Sequence, residues 1–65
     1  MKLYFDKVME KMQKEPYIDS FNFAYYMGYI HALGLAQLLS WEEEQELLEY
    51  REQRRNEYLQ SIAQS

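Results

Sequence analysis

Hydrophobic residues recur at three- and four-residue spacing in three stretches of the chain, and each stretch predicts a helix. From about Lys2 to Lys14, Phe5, Val8, Met9 and Met12 share one face, and Asp6, Lys7, Glu10, Lys11 and Lys14 take the rest. Glu10 lies four residues ahead of Lys14, the favourable order for a helical ion pair. Pro16 stops this helix, because a proline pushes the residue before it out of the α region. A second helix is expected from about Phe21 to Leu33, with Asp19 or Ser20 as its cap and Gly34 ending it in a left-handed conformation. One of its sides reads Phe21, Ala24, Tyr25, Gly28, Ala32, and the other reads Phe23, Tyr26, Met27, Ile30, Leu33. A helix apolar on both sides is normally sandwiched between neighbours, and the small stripe Ala24, Gly28, Ala32 would admit one closely.

The third helix starts at Ser40, which forms a capping box with Glu43, and nothing breaks it before about Ala63. At about 1.5 Å per residue it spans roughly 35 Å, against roughly 20 Å for each of the others. It is therefore expected to overhang the body. The intervening segment, Gly34-Leu35-Ala36-Gln37-Leu38-Leu39, is too apolar for a solvated loop, so a turn tucking Leu35, Leu38 and Leu39 into the core is expected. The whole reads as one all-α domain over residues 1–65: a three-helix small domain, an antiparallel hairpin of helices 2 and 3 with a shorter N-terminal helix packed on it, and a long C-terminal helix.

The charge pattern along the third helix points to contacts. Trp41, Leu48, Leu59 and Ile62 lie along one line, with Leu47 and Tyr58 to one side, but Glu44, Arg51, Glu52 and Arg55 interrupt the arc. Two contact zones account for this. Trp41 to Leu48 would face the first two helices. Tyr58, Leu59 and Ile62 would meet another chain, with Arg51 and Arg55 pairing its carboxylates. The simplest such partner is a second copy, since symmetric homodimers dominate among oligomers. The competing view is that the arginines extend along the surface and the last turns fray.

Composition narrows the alternatives. The chain has 65 residues, no cysteine, two glycines and one proline, with 48% hydrophobic residues. This excludes a disulfide scaffold and a thiolate zinc site, and it fits neither a disordered nor an all-β chain. A core this small is marginal and is usually supplemented by association. The absence of cysteine fits a cytoplasmic setting, and Met1 to Lys7 lacks the apolar run of a signal peptide.

The net charge of −4 arises after residue 40, where seven acids face Arg51, Arg54 and Arg55. Such a surface repels a phosphate backbone, so direct DNA or RNA binding is not expected. A helix-turn-helix reading fails because the recognition helix would open on Glu42-Glu43-Glu44. The line Glu42, Glu46, Glu49 reads first as a solvated face. Its sharper reading is mimicry of a phosphate backbone, by which a small acidic inhibitor would block a nucleic-acid enzyme.

No nucleophile elbow, phosphate-cradling loop or metal-spaced ligand set is present, and His31 has no acid within one helical turn. No enzyme activity, cofactor or metal is expected. Residues 20–41 carry no charged side chain, but Asn22, His31, Gln37 and the tyrosines make them a poor membrane span. Membrane association is a third, weaker reading. The tyrosine cluster Tyr25, Tyr26, Tyr29 cannot all point inward. It reads either as core lining with wet hydroxyls or as a contact hot spot.

The junction Ala32-Leu33-Gly34-Leu35 followed by Ser40-Trp41-Glu42-Glu43-Glu44 resembles the hairpin junction of many short helical proteins carried by phages and bacterial mobile elements. The likeness covers residues 25–50 and assigns no functional residue. It implies only that an inhibitor of that origin, of the anti-CRISPR kind, is a reasonable alternative to a self-associating interaction or regulatory protein.

Overall fold

The computed structural model describes residues 3–64. They form α1 (Leu3–Lys14), α2 (Ser20–Leu35) and α3 (Trp41–Ala63), an all-α small domain in which α2 and α3 share the largest interface and α1 packs on α3. α1 buries Phe5, Val8 and Met12 as its spacing predicts, and the Glu10–Lys14 ion pair forms at 2.9 Å on its solvent side.

The end of α1 shows what Pro16 does. In a continuing helix, residue 16 would donate its N–H to the Met12 carbonyl, but proline has none. The Glu15 N–H takes up part of the vacancy at 3.2 Å, and the chain turns away. Residues 15–19 are not a loose loop. Ile18 is fully buried, and the Asn22 side-chain amide donates to the Tyr17 carbonyl at 3.2 Å. The Asp19 side chain caps α2 by accepting from the Asn22 N–H at 2.8 Å.

Packing decides between the two apolar sides of α2. Tyr26 and Ile30 are fully buried, with Phe23, Tyr29 and Leu33 packed against the same core. The side bearing Phe21, Ala24, Tyr25, Gly28 and Ala32 faces outward, and a methyl group at Gly28 would meet nothing within 4 Å. α2 is thus covered on one side only, not sandwiched as expected. Met27 departs from its expected side and is 47% exposed.

The hairpin junction differs from expectation in two ways. Gly34 is helical, and the left-handed residue is Gln37, at φ 62°. The Leu38 N–H donates to Leu33 O and the Gln37 N–H to Gly34 O, which is a Schellman termination with Gln37 in the position usually held by glycine. Gly34 instead leaves room for α3, since a methyl group there would meet the Glu44 carboxyl carbon at 2.5 Å. Of the three leucines expected in the core, only Leu39 is buried; Leu35 and Leu38 are exposed. A turn this short closes with one inward side chain, and the helical phase of Leu35 carries it outward. The capping box then forms as predicted, with Ser40 Oγ accepting from the Glu43 N–H at 3.1 Å and the Glu43 carboxylate accepting from the Ser40 N–H at 2.8 Å.

Tyr26 joins α2 to the connector by donating its hydroxyl to Glu15 Oε2 at 2.7 Å. Burial, and next the hydrogen bond to Glu15, push its pKa well above the usual tyrosine value of 10.0. The folded state therefore keeps a proton that the unfolded chain releases, so stability contributed by Tyr26 is complete below pH 10 and declines as pH rises above it. Urea unfolding followed by circular dichroism should show that decline in the wild type and a shallower one in Tyr26→Phe. The variant should also be about 1–2 kcal/mol less stable at neutral pH. An equal alkaline slope in both proteins would remove Tyr26 as its source.

Candidate interaction surface

α3 presents two stripes. The inward one runs Leu47, Arg51, Arg54, Tyr58, in alternating steps of four, three and four residues. Leu47 is fully buried and Arg51 is 5% exposed. Arg51 Nη1 donates to the Phe23 carbonyl at 3.0 Å, and its guanidinium lies 3.6 Å from the centre of the Phe23 ring. Its Nε is enclosed without a hydrogen-bond partner. Burial holds the guanidinium pKa below its ordinary range; Glu52 opposes that shift and Arg55 adds to it.

One turn on, Arg54 Nη1 donates to Met12 O at 2.6 Å and Nη2 to Glu15 O at 2.7 Å. Both carbonyls lie at the end of α1, where Pro16 gives Met12 O no N–H and only the 3.2 Å bond from Glu15 replaces it, and a cation at the negative end of the α1 dipole is favourable as well. Tyr58 stacks on Tyr17 of the connector, with ring centroids 4.8 Å apart and planes at 16°.

These contacts revise the expected division of α3. Spacing alone puts Arg51 and Tyr58 in a zone reserved for another chain. Both are held by the chain's own first two helices and their connector. The reason is that the connector packs alongside α3 and extends the body, so the uncovered length is not everything past Leu48 but a short end past Tyr58. Arginine in the seam carries no general penalty when its donors meet helix-end carbonyls and its plane meets an aromatic face. Pro16 was the signal that an outside donor was needed there.

Trp41 is also re-placed. It was expected to face the first two helices and is 70% exposed. It belongs to the second stripe, one residue around the helix from the inward seam, which continues through Leu48, Glu52 and Arg55 to Leu59 and Ile62. Leu59 and Ile62 are 46% and 51% exposed. Arg55 is half-buried, with its guanidinium 4.8 Å from the centre of the Phe23 ring. Phe23, Glu52, Arg55, Asn56 and Leu59 line an open groove of about 260 Å³ between α2 and α3. Of the sequence-predicted contact residues, then, the structure brings Arg55, Leu59 and Ile62 onto one accessible flank and assigns Arg51 and Tyr58 to the interior seam.

Glu42, Glu46 and Glu49 are all exposed. His31 is exposed too, on the outer part of α2. Among the described residues no group of three histidine or carboxylate side chains is placed to hold a metal ion, and no helix is long and apolar enough to cross a membrane.

Fold and surface together define a small three-helix domain with an uncovered, mixed apolar and charged flank. No protein-family model matches the chain, and no curated protein or solved structure shows significant similarity to it.

Proposed function

We propose that this protein is a non-enzymatic interaction or regulatory protein that associates with itself through the outer flank of α3. The observation that carries this reading is the exposure of Trp41, Leu59 and Ile62 along one side of a helix whose neighbouring seam is already filled. Scattered apolar side chains on a surface need no explanation, but large ones recurring on one helical stripe, with half-buried Leu48 between them, are characteristic of a contact site. The small core gives a second physical reason, because burying this flank against another chain adds apolar area that a 65-residue domain cannot supply internally. The inhibitor reading rests on Glu42, Glu46 and Glu49 alone, whose exposure suits a solvated face equally well.

Sedimentation at micromolar concentration should return a dimer for the wild type and a monomer for Leu59→Asp/Ile62→Asp, with helical content unchanged by circular dichroism. A double variant that sediments like the wild type removes this flank from consideration, and a monomeric wild type removes self-association.

A further inference from the structure

We infer that two copies pair their α3 helices antiparallel, in one register, with Glu52 of each against Arg55 of the other and Leu48 of each against Leu59 of the other. This rests on the self-association proposed above and specifies its geometry.

The outer stripe runs Trp41, Gln45, Leu48, Glu52, Arg55, Leu59, in alternating steps of four and three, and the next step of three reaches Ile62. That is the 3.5-residue period of a helix pairing with another along its length. Trp41, Glu52 and Leu59 are exposed, Gln45, Leu48 and Arg55 are half-buried, and the groove beside Phe23 opens onto the same flank. Arg55 meets the Phe23 ring, yet among the described residues neither Arg55 nor Glu52 has an ion-pair partner.

Charge selects the partner and its direction. The first ten residues of α3 hold Glu42, Glu43, Glu44, Glu46 and Glu49 and no base, whereas Arg51, Arg54 and Arg55 all follow. Parallel pairing of two copies would set acids against acids. Antiparallel pairing about a two-fold axis separates the two acidic halves, setting each against the uncharged last turns of the other helix from Tyr58 on, and a two-fold contact is made twice.

The register follows from layer matching. Placing Glu52 opposite Arg55 of the second copy brings Arg55 opposite Glu52 by symmetry. The same alignment puts Leu48 and Leu59 of the two copies together on both sides of the paired charges. The neighbouring antiparallel register sets Leu48 against Glu52 and Gln45 against Arg55, so it keeps Trp41 against Leu59 as an apolar layer but loses both the Glu52–Arg55 and the Leu48–Leu59 layers.

The test uses charge reversal and cross-linking on the full chain, with circular dichroism to check folding. Glu52→Arg alone and Arg55→Glu alone place like charges together in a homodimer. Each is expected to weaken association about tenfold or more in sedimentation. An equimolar mixture of the two variants restores complementary pairs and should associate as tightly as the wild type. The chain has no cysteine of its own, so oxidation reports added ones directly. Leu48→Cys/Leu59→Cys should form a covalent dimer, and neither single cysteine variant should. If the wild type dimerises but the mixture does not recover, or a single cysteine variant cross-links efficiently, the register is wrong while self-association stands. A wild type that sediments as a monomer overturns both.

Discussion

Arg54→Met is expected to lower the stability of the domain by about 2–4 kcal/mol, whereas Arg51→Met, one turn away, is expected to stay within about 1 kcal/mol of the wild type. Both arginines lie in the inward seam of α3 and both donate to main-chain carbonyls, so a count of contacts would rank them alike. The acceptors differ. Arg54 serves Met12 O and Glu15 O, at the end of α1, where Pro16 supplies no N–H. Removing the guanidinium takes the Arg54 donor from Glu15 O, leaves Met12 O with only the 3.2 Å bond from the Glu15 N–H, and takes a positive charge from the negative end of the α1 dipole.

Arg51 donates to Phe23 O, inside α2, where the carbonyl already accepts its helical bond. Its Nε is enclosed and unpaired, and burial depresses its pKa, so the site disfavours the charge it holds. Methionine at 51 retains the packing against Phe23 and removes the buried cation. Urea denaturation monitored at a single concentration measures both. Equal losses for the two variants would show that the carbonyls at the end of α1 are not the decisive difference.

The same contrast explains which parts of this protein were legible in its sequence. The end of α1, the start of α3 and the face of α1 were, because each rests on a local rule: Pro16, the Ser40–Glu43 box, and the spacing of Phe5, Val8 and Met12. The orientation of α2 was not, since either of its sides is apolar enough to be buried and only the position of α3 chooses Tyr26 and Ile30. Gln37 was missed because a left-handed turn residue is expected to be glycine, and Gly34 stood three residues away as a plausible candidate.

The seam of α3 was misread for a chemical reason. Treating arginine as a surface residue makes Arg51 and Arg54 an interruption, whereas their carbonyl and aromatic contacts make them part of the filling. Arg55, Leu59 and Ile62 share a stripe by spacing, but whether that stripe stays uncovered depends on how far the connector reaches along α3.

Leu47→Ala is expected to unfold most of the monomer. Leu47 is fully buried at the first inward position of α3, in the same cluster as Val8, Met12, Tyr26 and Ile30, so it belongs to the core that all three helices share. Truncating a buried leucine costs about 2–5 kcal/mol. A core of this size supplies only about 3–5 kcal/mol in total, so one such change consumes most or all of the margin. Leu35→Ala removes the same atoms from a side chain that is 73% exposed and should change stability by less than about 0.5 kcal/mol.

Far-ultraviolet circular dichroism at low concentration should then show largely lost helicity in Leu47→Ala and none lost in Leu35→Ala. Because association stabilises whatever fold it requires, raising the concentration of Leu47→Ala should recover part of the signal if α3 pairs with a second copy. A Leu47→Ala protein that stays fully helical at low concentration and melts like the wild type would mean that the three helices do not depend on the contact at which they meet.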